Sequence, residues 1–165
     1  MKRLGIIRHA KSSWADAGLA DHDRPLNKRG KRDAPFMADL LEREGERPDL
    51  LLTSSAKRAR TTAKAFAKAF GLPKGAVLED ERIYEASAHA VLDVLRAGPE
   101  HAESLFLFGH NPGLHDLIFL LCGKGPERFV TCGAALMDLS IDRWRDAAIG
   151  CGTLTAYWYP KMFEI

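Results

Sequence analysis

Two apolar rhythms alternate along the chain. One is short and unbroken: Leu4-Gly5-Ile6-Ile7, Leu50-Leu51-Leu52-Thr53 and Ser104-Leu105-Phe106-Leu107-Phe108. Runs of this length without an alternating polar face read as strands buried on both sides. Val77-Leu78 predicts a further short strand, and residues 134–139 and 153–159 two late ones. The other rhythm has the helical period. It puts Ala34, Met37, Leu40 and Leu41 on one stripe, then Ala59, Ala63, Phe66, Ala67 and Phe70. Val91, Leu92 and Leu95 form a third stripe, and Leu114, Leu117, Ile118 and Leu121 a fourth.

Punctuation between these stretches fits the same elements. Gly71, Gly98-Pro99 and Gly123 stop three helices, and Ser87 is placed to cap one. Pro35 sets two options for the first helix: a start near Asp33, or a kink. Residues 11–27, with Gly18, several aspartates and Arg24-Pro25, read as loop. Strands alternating with helices predict a three-layer α/β/α sandwich around a mostly parallel sheet, in one domain spanning residues 1–165. The ligand crevice of such a sheet lies beyond the carboxyl ends of its strands.

The length of 165 residues is enough to bury ~70% of the unfolded surface. With 46% hydrophobic and 28% charged residues the chain has the composition of a globular protein, neither disordered nor fibrous. No apolar run nears the ~20 residues of a membrane span, and the start lacks the apolar core of a secretory signal. Cys122, Cys132 and Cys151 are odd in number and widely spaced, which argues against a disulfide framework or a zinc site. Reduced thiols in a cytoplasmic protein are the expectation. The net charge of +2 hides an asymmetry. Residues 1–74 hold 17 Lys and Arg against 9 Asp and Glu; residues 75–165 hold 7 against 13. Most of this excess, including Lys28, Arg29, Lys31 and Arg32, reads as a solvated helix face.

Chemistry gathers just past the strands. Arg8-His9 follows the first, Ser54 to Arg60 the second, and Gly109-His110-Asn111-Pro112 the third strong run. A parallel sheet would bring all three to one edge, collecting two histidines and at least two arginines with few acids nearby. That set suits a phosphoryl group: guanidinium forks bind its oxygens, and a neutral imidazole can accept it as a nucleophile.

The motif Arg8-His9-Ala10-Lys11-Ser12-Ser13-Trp14 resembles the signature of the histidine phosphatase superfamily, the phosphoglycerate mutase-like group. Ser54-Ser55-Ala56-Lys57-Arg58-Ala59-Arg60-Thr61-Thr62-Ala63 is similar to its second motif. Arg24-Pro25-Leu26 and Phe108-Gly109-His110-Asn111-Pro112-Gly113 match two further blocks in the same order. Together with the short length, these blocks look most like the SixA phosphohistidine phosphatase subgroup. The resemblance implies a phosphoglycerate mutase-like fold and gives each site residue a role. His9 is the nucleophile, Arg8 and Arg58 clamp the phosphoryl oxygens, and His110 donates a further hydrogen bond. Arg24 contacts the substrate or guards the pocket mouth, and Ser12 joins the substrate-binding residues. Glu85 lies near where the family often places its general acid; the other reading is a surface glutamate before a helix. Departures from the pattern are Ala10, where the family usually has glycine, and Ala15, where mutase-type members commonly carry asparagine.

No metal or other cofactor is expected, since the arginines supply the charge. The expected partner is a phosphorylated protein, such as a histidine phosphotransfer domain of two-component signalling, or else a small phosphate ester. The same His9 chemistry on a small phosphomonoester is the alternative enzyme. A phosphate- or nucleic-acid-binding module working through the basic half is the non-enzymatic one, but no nucleic-acid motif accompanies it. Neither nucleic acid nor membrane is expected as a partner. Trp14 reads either as a cover for the pocket or as packing. His22 reads as a surface or loop residue, close enough to Arg24 to line the entrance, and Lys57 and Arg60 as solvated neighbours of Arg58.

Overall fold

A computed structural model describes residues 1–163. Its ten main elements follow the two rhythms. They are β1 (Lys2–Arg8), α1 (Lys28–Arg43), β2 (Leu50–Ser54), α2 (Lys57–Phe70) and β3 (Val77–Asp80), then α3 (Ala88–Arg96), β4 (Ser104–Gly109), α4 (Gly113–Cys122), β5 (Ala134–Leu139) and β6 (Gly152–Trp158).

The strands form one sheet in the order β3-β2-β4-β1-β5-β6. The first four are parallel; β5 and β6 close one side antiparallel, with a register shift between Leu136 and Met137. Consecutive residues of the unbroken runs point to opposite layers. Leu50, Leu52, Leu105 and Leu107 pack with α3 and α4, whereas Leu51, Phe106 and Phe108 pack with α1 and α2. A strand covered on both faces cannot afford polar alternation, which is why these segments read as uniform apolar runs.

Local signals set the helix ends. Ser87 Oγ accepts from the Ala90 amide, and Gly71 and Gly123 close α2 and α4 in the left-handed conformation. Two expectations need correcting. Helix α1 begins at Lys28, capped by Asn27, and runs on through Pro35. Pro35 sits on the exposed side, where water can hydrate the carbonyl its ring leaves without a donor, while Ala34, Met37, Ala38 and Leu41 stay buried. Residues 11–27 are also more than a loop. A 3-10 turn spans Asp21–Asp23, and Ser12 pairs with Leu26 in an isolated antiparallel bridge.

The three thiols are unpaired; Cys132 is buried, and Cys122 and Cys151 are half-buried. Among the described residues no helix is long and apolar enough to cross a membrane.

Candidate active site

β1 lies beside β4, and β4 beside β2, so the parallel arrangement brings Arg8-His9, His110 and the Ser54–Arg58 turn to the same edge. The rings of His9 and His110 stand 5.1 Å apart at 50°. His9 is buried, and its Nδ1 lies 2.7 Å from the Ala10 carbonyl oxygen. A carbonyl only accepts, so Nδ1 carries the hydrogen and the Nε2 lone pair is left free. Burial is the main force pushing the His9 pKa down to about 3, with His110, Arg58 and Arg8 adding repulsion. At neutral pH the imidazole is therefore an uncharged base.

Backbone bonds hold this nucleophile in place. The His9 amide donates to the Gly109 carbonyl at 3.0 Å, and the Ala10 amide donates to Thr62 Oγ1 at 3.0 Å. Position 10 does not require glycine, because Ala10 keeps a negative φ. Glycine is needed beside it, however. Gly30 at the start of α1 lies so close to the Lys11 carbonyl that a Cβ would collide with that oxygen, and Gly113 meets the Ala86 carbonyl in the same way.

His110 has its Nε2 2.7 Å from Ser54 Oγ, which also accepts from the Ala56 amide at 3.2 Å. Its Nδ1 is buried without a protein partner. Ser54 Oγ already accepts from Ala56, so its hydroxyl hydrogen is available to Nε2; in that arrangement the His110 hydrogen sits on Nδ1. Burial, then Arg58, lowers its pKa to about 4. Both histidines are thus neutral, His9 with a free Nε2 lone pair and His110 with an unpartnered Nδ1.

The arginines are held differently. Arg8 donates to the Phe129 carbonyl at 3.1 Å and leaves its buried Nε unpartnered; burial and the nearby Arg58 hold its pKa below the usual value. Arg58 is buried. It donates through Nη1 to the Asp21 carbonyl at 2.7 Å and through Nη2 to the Asp21 carboxylate at 3.0 Å, which leaves Nε unpaired.

Asp21 corrects the expectation of a site poor in acids. Its carboxylate also accepts from Tyr84 Oη at 2.6 Å and from Arg24 Nε at 3.1 Å. Tyr84, Arg58 and Arg24 hold that carboxylate far below the ordinary range, while burial, then Asp21, raises Tyr84 to about 12. Sequence reading missed both residues because Asp21 sits among other loop aspartates. The one available signal was its place three residues before Arg24-Pro25.

The remaining expected site residues fall around this core. Arg24 is buried, bonded to Asp21 and, at 2.6 Å, to Ser12 Oγ, and Trp14 stacks on its guanidinium at 3.5 Å. Arg24 and Ser12 therefore face each other. Trp14 is 72% exposed and packs its ring against Arg24. His22 has its Nε2 2.9 Å from Ser55 Oγ and its ring edge-on to Tyr84. Lys57 is exposed; Arg60 is half-buried and donates to the Ser55 carbonyl. Glu85 is exposed, with φ +55, directly after Tyr84, whose ring is edge-on to His110.

The chain is similar to known proteins. The sequence model of the histidine phosphatase superfamily (branch 1) matches residues 4–93. An uncharacterized chloroplastic protein of Arabidopsis thaliana is 33% identical over 154 residues, covering 88% of this chain and 70% of the relative. An uncharacterized protein of Mycobacterium tuberculosis is 31% identical over 165 residues, covering 94% of this chain and all of the other. A crystal structure from Agrobacterium tumefaciens, of a protein that carries the name phosphohistidine phosphatase SixA, superposes with a TM-score of 0.81. It is 30% identical and covers 96% of this chain and 98% of its own.

Proposed function

Because the chain belongs to the histidine phosphatase superfamily and is of the SixA type, we propose that this phosphatase removes the phosphoryl group from phosphohistidine in a signalling protein through a covalent phospho-His9. The observation that carries the reading is the bond from His9 Nδ1 to the Ala10 carbonyl, which leaves Nε2 free beside Arg8, Arg58 and the His110 donor.

In the first step His9 Nε2 attacks phosphorus as the bond from phosphorus to the substrate nitrogen breaks, and the substrate ring, protonated on its other nitrogen, departs as neutral imidazole. Arg8 and Arg58 neutralise the equatorial oxygens, and the Nδ1–H of His110 binds charge that builds on them. In the second step water attacks phospho-His9. Inorganic phosphate leaves and the neutral imidazole returns. The two guanidinium groups supply the positive charge that a metal brings to other phosphoryl-transfer sites, so the reaction is proposed to be metal-independent. An imidazole leaves readily from phosphorus, whereas an alkoxide needs a proton. Glu85, at the rim past Tyr84, is the group proposed to deliver that proton when the substrate is an ester.

The test compares a phosphohistidine-bearing domain with an aryl phosphate, both in EDTA. Faster clearance of phosphohistidine is the expected result. A clear preference for the aryl phosphate would move the assignment to a small-molecule phosphomonoesterase with the same site. Loss of both activities in EDTA would overturn metal independence.

A further inference from the structure

Arg8 also lines a cavity of about 530 Å³, whose lining does not include Arg58. Lys11 and Arg29 line it from the segment after β1 and the start of α1, Arg128 from the loop between α4 and β5, and Lys161 from the chain after β6. With Arg8 that makes five cations, against Glu127 as the one carboxylate of the lining. Arg29 is also paired with the buried Asp33, so its charge is partly offset. Lys11 and Arg128 are exposed and form no ion pair with another described residue.

The far wall is tied to the phosphoryl site. Arg8 Nη1 and Asn111 Nδ2 both donate to the Phe129 carbonyl, at 3.1 and 2.8 Å, and Asn111 directly follows His110. The buried Arg8 Nε and Asn111 Oδ1 have no protein partner. Arg8 thus belongs to both spaces. A group bound in this cavity would lie one guanidinium away from the transferred phosphoryl group. A space of this size suits a small ligand or a few side chains rather than a single ion. Unpaired cations around a shared cavity raise the local concentration of anions.

We propose that this cavity is a second anion subsite, taking carboxylate or phosphate groups carried by the substrate's own leaving group next to the reacting phosphorus. The proposal rests on the phosphatase reading above and adds a requirement on the substrate: a negatively charged neighbourhood. Acidic residues beside a phosphohistidine meet that requirement, and so does a second phosphate on a small molecule.

Four substrates separate the cases: an acidic phosphohistidine domain, the same domain with its flanking acids changed to amides, an alkyl bisphosphate, and an aryl phosphate with no second charge. Each is given to wild type and to the Lys11→Ala, Arg128→Ala double variant. Both replaced side chains are exposed, and neither is placed at the reacting atoms. The double variant is expected to raise KM for the acidic domain about tenfold with kcat nearly unchanged, the pattern of lost uniform binding. KM for the aryl phosphate should not move, and the amide domain should be insensitive to the variant. A KM rise confined to the bisphosphate would keep the subsite and assign it to a second phosphate. No change with any substrate, or the same change with the aryl phosphate, would overturn the subsite. Turnover of the aryl phosphate by wild type, lost in His9→Ala, reports separately on the catalytic reading.

Discussion

The two halves of the site solve opposite problems. On the β1–β4 side, His9 and His110 are kept neutral by burial. Their pKa values fall to about 3 and 4, and each ring is oriented by one oxygen, the Ala10 carbonyl or the Ser54 hydroxyl. On the α2 side, Arg58 and Arg24 keep their charge and converge on the Asp21 carboxylate, with Tyr84 completing the set. The first half makes a nucleophile by withholding charge. The second fixes a charged clamp by pairing it. A buried arginine without a partner would be costly and mobile. With Asp21 on one side of its guanidinium, Arg58 can present the other edge, including the unpaired Nε, to a phosphoryl oxygen.

Substitutions ordered by size of effect test this division. His9→Ala is expected to lower turnover at least about 10⁴-fold, as removal of a covalent nucleophile does, with circular dichroism unchanged. Retained turnover in a folded His9→Ala protein would sink the mechanism. Arg58→Ala should cost about 10²–10³ in kcat, the range for losing one preorganised charge at the transition state. Glu85→Gln should slow aryl phosphate hydrolysis by about 10² while phosphohistidine hydrolysis changes far less; equal slowing of both would remove Glu85 from the acid role. Asp21→Asn should lower kcat about tenfold by loosening Arg58, less than the hundredfold of a full 1 Å misplacement. An Asp21→Glu variant that restores the rate would separate positioning from mere folding.

The smallest effect expected is on acid stability. His9 and His110 bind protons more weakly folded than unfolded, so the unfolded state takes up protons first. Stability should therefore fall as pH drops from about 6.5 toward about 3. Asp21, depressed in the fold, adds a loss only below the ordinary carboxylate range. Denaturation midpoints across pH 7 to 4 should decline less steeply in His9→Ala than in wild type, and parallel slopes would contradict the neutral-histidine half of the comparison.

Only some of this was legible along the chain. The apolar runs at Leu50–Leu52 and Leu105–Phe108 and the caps at Ser87 and Gly71 are local signals, so the elements and their order could be read directly. Arg8, His9 and His110 lie at the ends or starts of such elements, where the sheet rule brings them together with the Ser54–Arg60 segment, and the resemblance to the family motif singles out Arg58 within it. Asp21 could not be found this way. Its role depends on the 11–27 segment folding back through the Ser12–Leu26 bridge, a contact that no periodicity encodes. Helix α1 starts at Lys28, well before Asp33, for a related reason, since burial of its apolar stripe outweighs the one backbone donor missing at Pro35.

The sequence by itself determined the alternation of strands and helices, the edge where chemistry gathers, and the residue types that meet there. The tertiary structure decided the protonation and the direction of each of those groups. It set which nitrogen of His9 is free, how Arg58 is oriented, and that Arg24 and Ser12 face each other. Those properties come from burial and from hydrogen bonds between segments far apart in the chain. Such contacts exist only once the sheet has assembled.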